Sequence, residues 1–253
     1  MPEQCIYGIY LFFEDGERFY GGDRIVRVGT HKGSDNLMGR LREHYVTENH
    51  HRSIFRKHIG RAILNKRSDP YLEAWNIDFT TRANRASYGA LRDTAREAEI
   101  EREVSDWLRQ HTSFCLISEP DEQARKTLES GLIALLAQEP SCVPSAHWLG
   151  LWAPDSRMSE SGLWNIQGLK GAPLTFGEVS GLASRFVMEW GGGIPDPAAP
   201  WSSLRAAGCR AKNGLRSVQG RVTLKRAQTS SSPMPSAWPC LRYSKVWVMS
   251  LGV

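Results

Sequence analysis

The sequence predicts an α/β fold, because strand patterns and helix patterns both occur between residues 6 and 138. An aromatic and β-branched run at 6–13 and an alternating apolar and basic run at 24–29 are both typical of strands. Several longer segments follow with apolar residues at helical spacing, interrupted by a short strand pattern at 114–117. The 253 residues suffice for one large domain, or for one medium domain with an appendage.

The first two strands predict a hairpin. Glu14-Asp-Gly16 is typical of a turn, because Asp and Gly both tolerate positive φ. Gly21 and Gly22 precede the second strand and could lengthen this connection.

Four helices are predicted after the hairpin. Asn36 suits the N-cap of a helix at 37–45, and Ser53 begins the second helix. The longest helical pattern covers 87–111, and the last, at 121–138, carries a stripe of leucines.

Charge and composition divide the chain near its C-terminal third. Residues 191–253 hold nine Lys and Arg and one acid, which leaves 23 basic and 26 acidic residues before them. The excess of basic residues therefore belongs to this end and says nothing about nucleic-acid binding by the rest. The chain from 178 onward is rich in Gly, Pro and Ser, a composition typical of disorder. We predict a domain at 1–177 and a basic, poorly ordered extension at 178–253.

Several classes of protein are disfavoured. No apolar run approaches the ~18–20 residues that span a bilayer, and the run that starts at Cys5 follows an acid, Glu3, rather than a basic region. The five cysteines form no CxxC pair, which argues against a disulfide framework or a zinc finger. We therefore expect a cytoplasmic protein without a membrane partner.

A set of polar residues stands where a fold alone would not need them. Tyr10 ends a Gly-Ile-Tyr triplet, and Arg40 and His44 are four residues apart, so they share a helix face. Glu129 lies within the leucine stripe, and Asn165 lies in a loop bounded by glycines. Each residue also has a plain structural interpretation: a half-buried strand tyrosine, a solvated helix pair, a surface carboxylate, a turn residue. The functional inference therefore depends on the whole set.

In chain order this set resembles the GIY-YIG nuclease family. The triplet at 8–10 matches the first family triplet, and Arg27-Val-Gly stands at the second. The other resembling positions are Thr30, Arg40, His44, His51, Glu129 and Asn165. The resemblance spans about residues 6–170 and leaves the extension uncovered.

The resemblance implies a small, mainly antiparallel three-stranded sheet flanked by helices, and hydrolysis of DNA, expected to be double-stranded, with Mg²⁺ or alternatively Mn²⁺. Tyr10 would activate the water, and Arg40 would clamp the phosphate with its planar fork. Glu129 would hold the metal, because Mg²⁺ is bound through few carboxylates together with phosphate oxygens and water. His44 and His51 would position water or protonate the leaving oxygen, with their separate roles left open.

Arg27 departs from the family pattern, which ordinarily has tyrosine at that position. We hypothesise that Arg27 lies near Tyr10 and stabilises its phenolate; alternatively, Arg27 points to the other face and contacts only DNA backbone. The departure favours an alternative function, a nucleic-acid-binding module that keeps the scaffold without catalysis.

Basic residues concentrate around the second helix, and phosphate contacts give affinity without sequence preference. We predict a DNA-contacting ridge there, against the alternative of a solvated helix face. Its residues are Arg52, Arg56 and Lys57, followed by Arg61, Lys66 and Arg67. A further alternative function is a transition-metal site built from His44, His50, His51 and His58.

Overall fold

The computed structural model describes residues 7–32, 37–182 and 186–190, with two short strands beyond them. The strands are β1 (Gly8–Phe19), β2 (Gly22–Thr30), β3 (Thr112–Ser118), β4 (Phe186–Trp190), β5 (Cys240–Tyr243) and β6 (Val246–Met249). The helices are α1 (Leu37–Tyr45), α2 (Ile54–Lys66), α3 (Leu72–Asn76), α4 (Arg82–Tyr88), α5 (Thr94–His111), α6 (Glu122–Gln138), α7 (Ser156–Ser161) and α8 (Phe176–Leu182). Short 3-10 turns cover Gly89–Leu91 and Leu149–Trp152. None of the helices in the described ranges is both long enough and apolar enough to cross a bilayer.

The predicted antiparallel sheet is confirmed, with β1 in its centre between β2 and β3. Among the described residues the sheet gains a fourth strand, because β4 pairs antiparallel with β3. Strands β5 and β6 pair with each other in a separate antiparallel ribbon.

The hairpin between β1 and β2 turns later than the sequence predicts. Residues 14–16 belong to β1, where Gly16 adopts a φ of 85° beside an irregularity in the pairing with β2. The turn is made by Tyr20 and Gly21, both with positive φ, which is the backbone of a two-residue hairpin loop. The prediction of a turn at Glu14-Asp-Gly16 is therefore wrong. Buried contacts of Glu14 hold this stretch in the strand.

The predicted helices are confirmed except for the longest. α2 begins after Ser53, whose Oγ accepts a hydrogen bond from the backbone N–H of Arg56, as an N-cap does. The pattern at 87–111 is divided, because Asp93 caps a new helix, α5, while α4 ends at Tyr88. The predicted cap Asn36 lies outside the described residues.

The two faces of the sheet carry separate hydrophobic cores, and β1 is buried on both, as a central strand should be. Helices α1, α2 and α5 pack on one face, against the side chains of Tyr10, Phe12, Val26, Phe114 and Leu116. Helix α6 packs on the other, against Ile9, Leu11, Val28, Cys115 and Ile117. Alternation along β1 and β3 therefore decides which of their residues face which helices, whereas on β2 an irregularity in the pairing beside Phe12 lets Val26 and Val28 face opposite cores.

The chain from 178 onward is described only in part. Helix α8 crosses the predicted domain boundary, and Val179 and Leu182 are buried against the core on the α6 face. Most of the extension lies outside the described residues, so both its predicted disorder and the boundary stay predictions.

Candidate active site

Tyr10 lies on the face of the sheet that packs against α1 and α2, directly opposite Gly29 of β2. Its ring is 1% exposed, and its Oη would lie 2.2 Å from a Cβ placed at Gly29. Glycine is therefore required at position 29, because any side chain there would occupy the place of the tyrosine hydroxyl.

The Tyr10 hydroxyl is hydrogen-bonded to the imidazole of His44, at 2.9 Å from Nε2. The other ring nitrogen, Nδ1, lies 2.7 Å from the Oγ of Ser53. His44 is fully buried, and burial lowers its pKa well below the usual value, assisted by the positive charges of Arg27, Arg40 and Arg56. A neutral imidazole has one donor and one acceptor nitrogen, so the ring links the two hydroxyl groups.

Arg40 completes this cluster from the same face of α1. Its Nη1 donates to the Oε2 of Glu43 at 2.7 Å and to the backbone carbonyl of Arg52 at 2.8 Å. Burial works to lower its pKa, but Tyr10 and Glu43 outweigh that effect and the pKa is raised. We call Tyr10, Arg40, His44 and Ser53 the tyrosine–histidine group.

Arg27 lies on the same face of the sheet as Tyr10, because it is paired with Phe12. Its Nη1 donates to the carbonyl of Trp164 at 3.1 Å, its guanidinium lies 4.9 Å from the centre of the Phe55 ring, and its buried Nε has no hydrogen-bond partner. The alternative in which Arg27 points to the opposite face is therefore wrong.

Glu129 reaches the edge of β2 from α6. Burial raises the pKa of its carboxyl group, opposed by Arg27, by a hydrogen bond from the backbone N–H of Thr30, and by Arg40. The Oγ1 of Thr30 in turn donates to the carbonyl of Gly8 at 2.8 Å, which fixes the end of β2 against β1. Arg27 and Arg40 thus act electrostatically on both Glu129 and His44.

A cleft of about 530 Å³ opens along the outer edge of β2, between α2 and α6. Its polar lining includes Arg27, His58, Glu129, Asn165 and Gln167. Burial lowers the pKa of His58 to about 3, assisted by Arg27 and Arg61, so its imidazole is neutral at pH 7. A cleft of this size with one carboxylate and one guanidinium suits a phosphate-bearing ligand.

Asn165 holds the wall of the cleft to the sheet. Its Oδ1 accepts from the N–H of Val28 at 3.0 Å, and its Nδ2 donates to the carbonyl of the same residue at 2.9 Å. The N–H of Trp164 donates to the carbonyl of Val26 at 2.7 Å. The segment therefore pairs with β2 as a further strand would, so that the backbone groups of this edge are satisfied.

The structure does not bring His51 into the tyrosine–histidine group. Its ring lies 4.0 Å from that of His50, faces Phe79, and has Nδ1 at 3.7 Å from Asp78. The role that the sequence predicts for His51 beside His44 is not supported by these contacts.

Two of the three predicted DNA-binding residues are buried, so the ridge prediction is wrong for them. Arg56 is 0% exposed and binds the Glu101 carboxylate, and Lys57 donates from Nζ to the carbonyl of Asn76 at 2.9 Å. This part of α2 faces α5 and α3, and that orientation is not visible in a count of basic residues. Arg52 remains exposed.

The four histidines proposed for a transition-metal site do not meet. Both nitrogens of His44 are used by Tyr10 and Ser53, and His58 lies in the cleft with its Nδ1 at 3.2 Å from Arg61. His50 and His51 stay together, next to Glu97.

Sequence reasoning did not assign Ser53 and His58 to the nuclease site. It considered Ser53 only as the start of the second helix and His58 only as a ligand of the alternative transition-metal site. In the sequence Ser53 is explained by its role as a helix N-cap, so its second contact, to His44, is not predicted. His58 lies one turn after Ile54 on α2, and both residues line the cleft. The spacing of the two was therefore the available signal.

Comparison with known proteins agrees with this geometry. A family model described as the GIY-YIG domain matches residues 2–172 of the chain. No curated protein and no solved structure matches it. The family match covers more than half of the chain and supports a nuclease-type enzyme in general terms. The chain belongs to the GIY-YIG nuclease family.

Proposed function

We propose that this protein is a metal-dependent endonuclease that hydrolyses phosphodiester bonds of double-stranded DNA. The observation that carries the proposal is the hydrogen bond of 2.9 Å between the Tyr10 hydroxyl and the neutral His44 imidazole, beside the Arg40 guanidinium. A tyrosine is a poor base until its proton has an acceptor and its phenolate a nearby positive charge.

In the proposed reaction Tyr10 removes a proton from the attacking water and passes its own proton to His44. This needs the tautomer in which Nδ1 donates to Ser53 and Nε2 accepts from Tyr10. Burial, assisted by the positive charges of Arg27, Arg40 and Arg56, disfavours a charged His44 in the free protein. The bound phosphate offsets their charge, so that proton acceptance becomes easier once DNA is present.

Arg40 is proposed to bind the scissile phosphate, and Arg27 to stabilise the charge that develops at Tyr10 and on the phosphate. Both guanidinium groups are held by hydrogen bonds to fixed partners, and preorganised charge is the largest usual contribution to such catalysis.

Glu129 is proposed as the ligand of Mg²⁺, with Mn²⁺ as a substitute. A single carboxylate suits Mg²⁺ here, because the Thr30 N–H orients it and the cleft that it faces has room for water and phosphate oxygens. When bound, the ion supplies Lewis-acid stabilisation of negative charge on the phosphoryl oxygens.

The test is nicking of supercoiled plasmid by the full-length protein with Mg²⁺, Mn²⁺ or EDTA. We expect metal-dependent nicking that Glu129→Gln abolishes and that Glu122→Gln preserves, because Glu122 is an exposed carboxylate on the same helix. A single-stranded circular DNA in parallel tests the preference for duplex.

Absence of nicking under all these conditions, with plasmid binding retained, would favour the second candidate, an inactive DNA-binding module. The observation that favours this candidate is Arg27 at the position where the family ordinarily has tyrosine.

A further inference from the structure

A second group of ligand-type side chains lies between α2 and α5, apart from the cleft. His50 and His51 lie three and two residues before Ser53, the N-cap of α2, and Glu97 lies in the first turn of α5. One potential ligand atom from each of the three lies within 4.8 Å of the others. We call His50 and His51 the histidine pair.

In the histidine pair, some ring nitrogens have hydrogen-bond partners and others have none. His50 is 2% exposed, its ring stacks on Trp75 at 3.8 Å, and its Nδ1 lies 2.9 Å from the Oε1 of Glu101. Its Nε2 is buried without a hydrogen-bond partner, and so is the Nε2 of His51. Buried polar atoms are rarely left without partners, and two side by side point to a missing ligand.

The contact between Glu101 and His50 is of the kind that orients metal-binding histidines in proteins. A carboxylate that accepts from Nδ1 fixes the proton there and leaves the lone pair on Nε2 free to bind an ion. Glu101 is itself held by Arg56, whose Nε and Nη2 donate to Oε2 at 2.9 and 2.6 Å. The orientation of His50 is therefore set by a buried and fully engaged acid.

We propose that His50, His51 and Glu97 bind a divalent transition-metal ion of the Zn²⁺ class, through the two Nε2 atoms and the carboxylate, with Glu101 orienting His50. Two imidazoles and a carboxylate, with a fourth position left to water, are a recurrent zinc ligand set. The site is separate from the proposed Mg²⁺ ligand Glu129 and does not depend on nuclease activity.

Neighbouring charges are compatible with such an ion. Arg92 donates to both oxygens of Glu97 at 2.7 and 3.0 Å, and a carboxylate has enough lone pairs to bind an ion as well. Asp78, near His51, adds a second negative charge, while Lys57 opposes it.

An ion at this place would brace the segment from His50 to Ser53. The carbonyl of Arg52 accepts from Arg40 at 2.8 Å, and the Oγ of Ser53 contacts His44 at 2.7 Å. The proposed ion therefore has a structural role, because it fixes the backbone on which two members of the tyrosine–histidine group depend.

The test uses the tag-free, full-length protein, freed of metal by chelation and titrated with Co²⁺, whose visible spectrum reports the ligand set. We expect one equivalent of tight binding. Loss of a direct ligand costs more than the ~10–100-fold typical of an outer-shell partner, so His51→Gln and Glu97→Gln should each weaken binding by at least about 100-fold.

The controls are matched by residue type. His147→Gln removes an exposed histidine, and Glu103→Gln removes a glutamate of α5 that is also paired with an arginine, Arg67. Both should bind Co²⁺ as the wild type does, and so should Glu129→Gln. X-ray absorption of the Zn²⁺-loaded wild type should show two imidazoles on the ion, a result that does not depend on any variant folding.

Failure of the wild type to bind Co²⁺ or Zn²⁺ would overturn the proposal. Binding that is insensitive to His51→Gln and Glu97→Gln, or that is lost in Glu129→Gln, would overturn it equally. Because the readout is metal binding, these outcomes are independent of whether the protein cuts DNA.

Discussion

His44 and the histidine pair are close in sequence and differ in what their nitrogens contact. His44 has both nitrogens engaged by hydroxyl groups, of Tyr10 at 2.9 Å and of Ser53 at 2.7 Å. His50 has one nitrogen engaged by a carboxylate, and both members of the pair leave Nε2 without a partner. The same side chain is therefore equipped for proton exchange in one place and for metal binding in the other.

The second partner makes the difference. A serine hydroxyl can donate or accept, so His44 keeps the freedom to change which nitrogen carries the proton. The carboxylate of Glu101 only accepts, so it holds the His50 proton on Nδ1. Burial lowers the pKa of His44, and the guanidinium groups around it lower the pKa further, which favours the neutral imidazole.

The largest expected effect comes from comparing His44→Gln with His51→Gln in single-turnover plasmid nicking at saturating Mg²⁺. His44→Gln should slow nicking by about 10²–10⁴-fold, the usual contribution of a proton-transfer partner. His51→Gln should slow it by less than about tenfold, because its side-chain contacts lie outside the tyrosine–histidine group and it acts on that group only through the backbone at 52–53.

Circular dichroism and thermal melting of both variants serve as the control for folding. Equal and large losses of rate in two folded variants would contradict the separation of the two groups. They would restore the single catalytic set that the sequence predicts.

A smaller effect, on the pH dependence of nicking, is expected when Arg27 is replaced by alanine. Arg27 lowers the pKa of both Glu129 and His44, so each pKa should rise in the variant. The acidic limb of the pH–rate profile should then move to higher pH by about 1 unit, because Glu129 must be ionised to bind a metal.

Arg52→Ala is the matched control, because Arg52 is exposed and is expected to contact only phosphate. It should weaken DNA binding and leave the profile in place. An unchanged profile in Arg27→Ala would rule out the electrostatic role of Arg27.

The smallest effect on nicking is expected from Glu14, which belongs to neither histidine group. Burial raises its pKa to about 7, against hydrogen bonds from the indoles of Trp164 and Trp148 that lower it. The folded state therefore holds a proton between pH 4.5 and about 7 that the unfolded chain releases, so stability falls as the pH rises through this range.

Glu14→Gln should remove this loss of stability at rising pH. The shift from 4.5 to about 7 corresponds to about 3 kcal/mol of unfolding free energy above pH 7. Melting temperatures of the two proteins should diverge progressively from pH 5 to pH 8, with nicking at pH 7 unchanged. A constant difference across that range would contradict the raised pKa.

The local pattern of the sequence determined most of the secondary structure and the core of the site. Alternation predicted β2, a short apolar run predicted β3, and helical spacing predicted α2 and α6. The spacing of four residues placed Arg40 and His44 on one helix face, and the structure brings both to Tyr10. These predictions succeeded because they depend on neighbours along the chain.

Only the tertiary structure decided which partner each polar residue meets. Arg56 and Lys57 look solvated in sequence, yet α5 and α3 bring Glu101 and the Asn76 carbonyl to them. Helix α6, which carries Glu129, packs on the opposite face of the sheet from Tyr10. The charges of Arg27 and Arg40 act on Glu129 only because α6 reaches the edge of β2. Burial and partners depend on residues far apart in the chain, and no local periodicity records those contacts.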